Sequence, residues 1–331
     1  MRKIGKLHTV LAASLCFFAM GCEFNGKYVE ELDWTLDAAA IETIDVETTH
    51  GSIEVAAGDV DQITIHAVKT ILARTDAKAE EFSKRVTLHV TPENDVLRIY
   101  KKQPAVMNNY GVGVSYTIEC PPGVALKLAS THGKIEMKGV QDQADAETTH
   151  GAITLIGGKG QIDLRTSHAP IIVQNCEGRI EAKTSHGEIR LKDAAAEGED
   201  VFLRTTHAAV HIEDCQGNFD VQTSHGAIVG RRLSLSAPAR FASTHGRIEL
   251  EIDRGSAPVF AGTTHSSIAL TLPKEYSGRL DASTSHGRIE TDFPIPVLRS
   301  SKDSLAGPIG EGGEAIVRLR SSHGNISIQR Q

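Results

Sequence analysis

A four-residue string recurs eleven times in this chain: two hydroxyl residues, a histidine, then a small residue. Its histidines are His50, His132, His150, His168, His186, His207, His225, His245, His265, His286 and His323. From His132 to His286 the steps are 18, 18, 18, 21, 18, 20, 20 and 21 residues, and the last step, to His323, is 37. A period near 20 residues means one structural unit per repeat, each burying its apolar side on the next.

Aligning the copies on His gives the unit. Six and four residues before His the side chain is always apolar, as in Ile162 and Leu164 or Phe219 and Val221. Two before, it is always Ser or Thr, and three before it is mostly polar or small (Glu147, Arg165, Lys183, Arg204, Gln222, Arg320). This period-2 alternation predicts a strand with one buried face. Three residues after His comes Ile in ten copies and Val210 in the other, with further apolar residues two positions on, such as Leu155, Val173 and Ile328. The inward parity is even before His and odd after it, so a bend separates two strands. The residue after His is Gly in eight copies and Ala169, Ala208 or Ser266 in the rest; because Ala is tolerated, close backbone approach explains it better than an obligatory left-handed conformation. Each coil of 18–21 residues therefore has two short strands and two turns, and the class is all-β, a parallel β-solenoid. Helical half-repeats and the GGxGxD calcium repeat are missing from the sequence.

Residues 57–125 break the period. Gln62–Leu72, Val86–Val90, Val96–Tyr100 and Val114–Cys120 read as strands, and Thr75–Arg85 as a short helix capped by Thr75 or Asp76. This segment is expected to be a β-rich cap with one helix, covering the open edge of the stack, ahead of regular coils over 126–331. Pro294, Pro296 and Gly307–Gly313 read as a loop excursion.

The N-terminus is a different kind of sequence. Arg2, Lys3 and Lys6 precede an apolar run, Val10–Met20, too short to span a bilayer as a helix. With Phe18-Ala19-Met20-Gly21-Cys22 closing it, the run reads as a lipoprotein signal peptide over residues 1–21, with Cys22 the lipidated residue. Residues 22–40 are then a tether, and the partner there is the membrane, through the lipid at Cys22. Glu23 in place of Asp after that Cys favours the outer membrane by analogy with other lipoproteins. Cys120, Cys176 and Cys215 are an odd set without metal-site spacing, read as small apolar fillers.

The pattern resembles the "putative adhesin" family of bacterial envelope proteins, β-strand-repeat chains classed as a domain of unknown function. Its coils run apolar-x-apolar-x-Thr-x-Ser-Gly-Asp-Ile. The resemblance covers residues 41–331, including Pro121–Gly123 and Ser321-Ser322-His323-Gly324-Asn325-Ile326. His stands here where the family usually has Ser, and the Asp after Gly varies (Lys134, Ala152, Glu188, Arg247). The resemblance implies a right-handed β-solenoid, an adhesin-like domain and a location in the bacterial cell envelope.

Strand parity places the His column on the core side, at the coil corner. It is expected to be a structural ladder in which each imidazole bonds a neighbouring hydroxyl, backbone group or imidazole. The alternative is a metal-binding array for zinc, copper or nickel, although one column supplies about two His per ion and His207 with His211 is the single local pair. A buried, neutral column would also lose stability below about pH 6. The outward hydroxyls carry no flat ice-binding face, because their neighbours are Arg, Lys and Glu. Paired carboxylates at a repeated spacing, a nucleophile elbow, a P-loop and HExxH are all missing, so no catalytic residues, no enzyme and no cofactor are expected. A formal net charge of −7 without a basic stripe argues against nucleic acid. The expected partner is an unidentified protein or glycan, met by a non-catalytic structural or adhesin-like module.

Overall fold

The computed structural model describes residues 24–105, 109–296, 299–301 and 303–331. The signal peptide and Cys22 lie outside the described residues. The chain is all-β, with one helix among these residues, and divides into two compact units, Met1–Ala152 and Ile153–Gln331.

In the first unit the alternating apolar residues form coils as the repeat predicts. The His50 coil, Thr43–Glu47 and Ile53–Ala57, pairs in parallel with the His132 coil, Ala125–Ser130 and Ile135–Lys138. Gln143–Thr148 pairs next, in register, with Ala144 beside Leu126. On its other side the His50 coil meets Val96–Lys102 and Gly111–Cys120, again in parallel. These two strands occupy the positions of a coil without its His corner.

Beyond them the direction reverses. Gln62–Ala73 runs antiparallel to Gly111–Cys120, and Thr87–Glu93 antiparallel to Val96–Lys102. The helix Asp76–Ser83 starts where Thr75 accepts a hydrogen bond from the Lys78 amide at 3.4 Å. Phe82 of this helix stacks on Tyr110 at 4.0 Å between ring centroids, over a small core that includes Ile71, Ala79, Val86 and Val112. Buried Lys69 donates to the carbonyls of Ser83 and Val86 and pairs with Glu30, joining sheet to helix. One expectation fails here. Residues 22–40 are not merely a tether: Gly26–Asp37 is a strand, antiparallel to Gln62–Ala73 over its whole length. Its buried Trp34 sits in a Leu32-x-Trp34-x-Leu36 alternation that marks a strand.

In the second unit the first coils differ in detail from two short strands each. Ile153–Arg165, Ile171–Lys183 and Ile189–Arg204 each run unbroken from one His corner to the next, because parallel pairing continues round the opposite turn, as at Gly158 beside Cys176. From Val210 onward the strands separate as expected. The interior columns are apolar: Ile162, Leu164, Ile180, Val201, Leu203, Phe219 and Phe241 are buried, and the last two rings stack at 6.2 Å.

The end of the chain departs from sequence order. The last coil, Ile316–Ser321 and Ile326–Arg330, does not follow the His286 coil. It inserts between Val259–Thr263 with Ile268–Leu272 on one side and Gly278–Thr284 with Ile289–Thr291 on the other. The 37-residue step is therefore a there-and-back excursion. The segment read as a loop contributes Ser304–Ile309, which folds back antiparallel and covers the free edge of Gly278–Thr284, and Arg299–Ser301, which pairs antiparallel with Ser304–Ile309 in turn. An uncovered edge would present unpaired backbone groups to other chains.

Candidate functional site

Each repeat brings two polar columns to the same corner, and they behave differently. The Ser or Thr two residues before His is buried in all eleven coils. In Thr148, Thr184, Thr223, Ser243 and Ser321 the hydroxyl accepts from the amide three residues on and donates to a carbonyl of the adjacent coil, while Thr48, Thr205, Thr263 and Thr284 make the donation and Ser130 the acceptance. Thr223 accepts from Gly226 and donates to Ala208, both at 3.2 Å; Ser243 accepts from Gly246 at 2.9 Å and donates to Gly226 at 3.2 Å; Ser321 accepts from Gly324 and donates to Ser266, both at 2.9 Å. The relay satisfies buried backbone groups at the bend and ties coil to coil.

The small residue after His has the reason expected of it, except that Gly51 also takes a positive φ of 132°. A Cβ on Gly246 would lie 1.6 Å from the Gly226 carbonyl oxygen, and Gly246 has no positive φ, so contact rather than conformation demands glycine.

The imidazoles are not on the core side. Ten are exposed and His50 is half-buried. The strand ends by the hydroxyl column, and the next three residues form the bend, so strand parity does not carry through to His. The buried hydroxyls bond backbone rather than imidazole. The rings stack face to face instead. In the first unit His50, His132 and His150 stack at 4.5 and 4.6 Å between centroids. In the second, His168, His186, His207, His225, His245, His265, His323 and His286 stack in that spatial order at 4.6–5.2 Å, with planes within 6°. The Nδ1 atoms of His207, His286 and His323 each lie 3.3 Å from the carbonyl oxygen preceding the neighbouring histidine. In the tautomer that donates from Nδ1, Nε2 is left as an acceptor.

This geometry does not suit a metal shared within a column. Lone pairs lie in the ring plane, so in parallel rings they run side by side. An ion about 2.0–2.1 Å from two such nitrogens would require the rings to turn out of the stack. Among the described residues no cluster of three or more His, Cys, Asp or Glu is placed to hold a metal. His211 lies 3.2 Å from Glu188 and outside the His207 stack.

His50 has its pKa lowered by burial first, then by the neighbouring His132 and by Lys101. Burial pushes the Lys101 ammonium down to about 8, and its Nζ has no hydrogen-bond partner among the described residues. Cys120, Cys176 and Cys215 are buried free thiols, raised by burial to about 11, 11 and 12.

The family model that matches this architecture is Toastrack DUF4097, over residues 41–329. The chain belongs to that family. None of the curated proteins compared with this Toastrack chain matches it. Similar solved structures include a "putative adhesin" from Bacteroides fragilis (11% identity, 91% of this chain and 97% of that one, TM-score 0.33). Another is a "putative lipid binding protein" from Parabacteroides distasonis (15%, 92% and 97%, TM-score 0.35). A third is a "putative cell adhesion protein" from Clostridium sporogenes (9%, 92% and 100%, TM-score 0.23). The feature whose role repeat reading missed in this Toastrack chain is the hydroxyl column. Its invariance across the copies was visible; its role as the inter-coil relay needed the bend.

Proposed function

We propose that this Toastrack protein is a non-catalytic interaction module of the bacterial envelope, held to the membrane by a lipid on Cys22 and meeting its partner along the His-bearing surface. One observation supports this most directly. The buried hydroxyl relay already joins the coils, so an exposed, in-register row of eight imidazoles in the second unit is not needed to hold them together. Repetition of one polar group at a fixed pitch suits a repetitive or extended partner, for which many weak contacts add.

Two measurements test the reading. Cell fractionation should find the wild-type protein with membranes and Cys22→Ser in the soluble fraction; an unchanged distribution would remove the lipid anchor. Beads carrying the protein should adhere to envelope preparations, and a His186→Asn, His207→Asn, His225→Asn variant should adhere at least fivefold less. Equal adhesion by a well-folded variant would remove the ladder from the binding surface. Calorimetric titration with zinc, copper and nickel is expected to show no saturable site of sub-micromolar affinity.

A further inference from the structure

Beside the ladder, the outward surface of the second unit holds a trough crossing several coils. Two adjoining cavities of about 420 and 400 Å³ share Ala242. One is lined by Arg204, Gln222 and the hydroxyl residues Thr206, Ser224 and Thr244. The other is lined by Arg240, Phe260, Gly262, Arg318 and Arg320. The trough exists because the column three residues before His, which carries Arg165, Lys183 and Arg204 in earlier coils, shrinks to Ala242 and Gly262 before Arg320 closes it. Glycine is not required there by the backbone. A Cβ on Gly262 would meet nothing within 4 Å, and its φ is not positive. Glycine within a strand also marks places where a ligand comes close.

The walls carry a definite chemistry. Arg318 lies over the Phe260 ring at 5.8 Å and shares Asp281 with Arg320. Arg204 faces Asp220 at 3.7 Å. Arg240 is exposed and has no ion-pair partner among the described residues. Four guanidiniums thus meet two carboxylates, on a chain of net charge −7. A half-buried aromatic face, a hydroxyl once per coil and an unpaired guanidinium match one kind of ligand. We propose that this trough binds a carboxylated oligosaccharide, a sugar ring lying on Phe260, its carboxylate on Arg240 and its hydroxyls along Thr206, Ser224 and Thr244. Arg offers carboxylates a planar, two-bond fork, and sugar hydroxyls both donate to and accept from Ser and Thr. This assignment rests on the interaction-module reading and gives that module its ligand class.

The test is titration calorimetry of the detergent-solubilised full chain with trigalacturonate, and with maltotriose and triglutamate as probes of equal length. Trigalacturonate is expected to bind at least tenfold more tightly than either. Gly262→Val should leave the melting temperature unchanged or raised, because its side chain enters open space, yet weaken trigalacturonate at least tenfold. Arg240→Gln should also weaken it about tenfold, and raising the salt should weaken the wild type but scarcely change Arg240→Gln. Undiminished binding by folded Gly262→Val would overturn the assignment, as would preference for maltotriose or triglutamate. If none of the three binds while beads still adhere to envelopes, the trough assignment falls and the module reading stands; loss of both sinks both.

Discussion

At the scale of single residues, the two columns of the corner separate by what each leaves behind when removed. Thr223→Val keeps shape but orphans the Gly226 amide and the Ala208 carbonyl. Leaving buried polar groups unpaired costs about 1–3 kcal/mol. His225→Ser removes an exposed ring from its stack, where an aromatic pair is worth about 0.5–1.5 kcal/mol at most. Urea unfolding should therefore place Thr223→Val below His225→Ser in stability; the reverse order would make the imidazoles the structural column. Lys101 supplies a pH test. Its ammonium has a folded pKa of about 8 against an ordinary 10.5, so folding favours the neutral amine. The stability it contributes is present above pH 10.5 and is lost as pH falls towards 8, by roughly 3 kcal/mol. Lys101→Met should be more stable than wild type at pH 7, with the gap closing between pH 8 and 10.5; a pH-independent gap would mean the amine is hydrated. His50, lowered in the same direction, keeps its contribution above pH 6.5 and loses it as pH falls below. In Lys101→Met, NMR titration should find the His50 pKa raised.

At the scale of elements, the intercalated coil makes the end of the second unit depend on residues 316–330. Ending the chain at residue 313 removes the parallel partner shared by Val259–Thr263 and Gly278–Thr284. Hydrogen exchange should then speed at least a hundredfold in Gly278–Thr284, while Gln216–Gln222 keeps its protection through neighbours in place; retained protection in both would mean that the inserted coil is dispensable. The strands were legible in the sequence because each apolar pair, such as Ile162 and Leu164, reports its own buried face. The pairing order was not, because a repeat fixes what each coil looks like and says nothing about which coil it lies beside. The His exposure was missed for a related reason: alternation describes extended backbone, and Ser224, His225 and Gly226 are in the bend. The trough was written in the shrinkage from Arg204 to Ala242 and Gly262, but its depth depends on Phe260 and Arg318, residues 58 apart in sequence that a coil insertion makes neighbours.

At the scale of the whole molecule, composition sets where the net charge changes sign. The chain carries 15 histidines against a formal net charge of −7, and its isoelectric point is about 6.1. Carboxylates outnumber Lys and Arg by 42 to 35, so the sign of the net charge in mild acid rests on the histidine content as a whole. Electrophoretic mobility of the unprocessed chain should therefore reverse sign close to pH 6, with solubility lowest there, and at a lower pH once Arg2, Lys3 and Lys6 leave with the signal peptide. Replacing the eight ladder histidines of the second unit by Asn removes more than half of the titratable imidazoles. It should move the reversal to lower pH by about one unit while leaving the buried hydroxyl relay, and with it the fold, in place. A variant with the wild-type reversal point would mean that the ladder does not carry the charge.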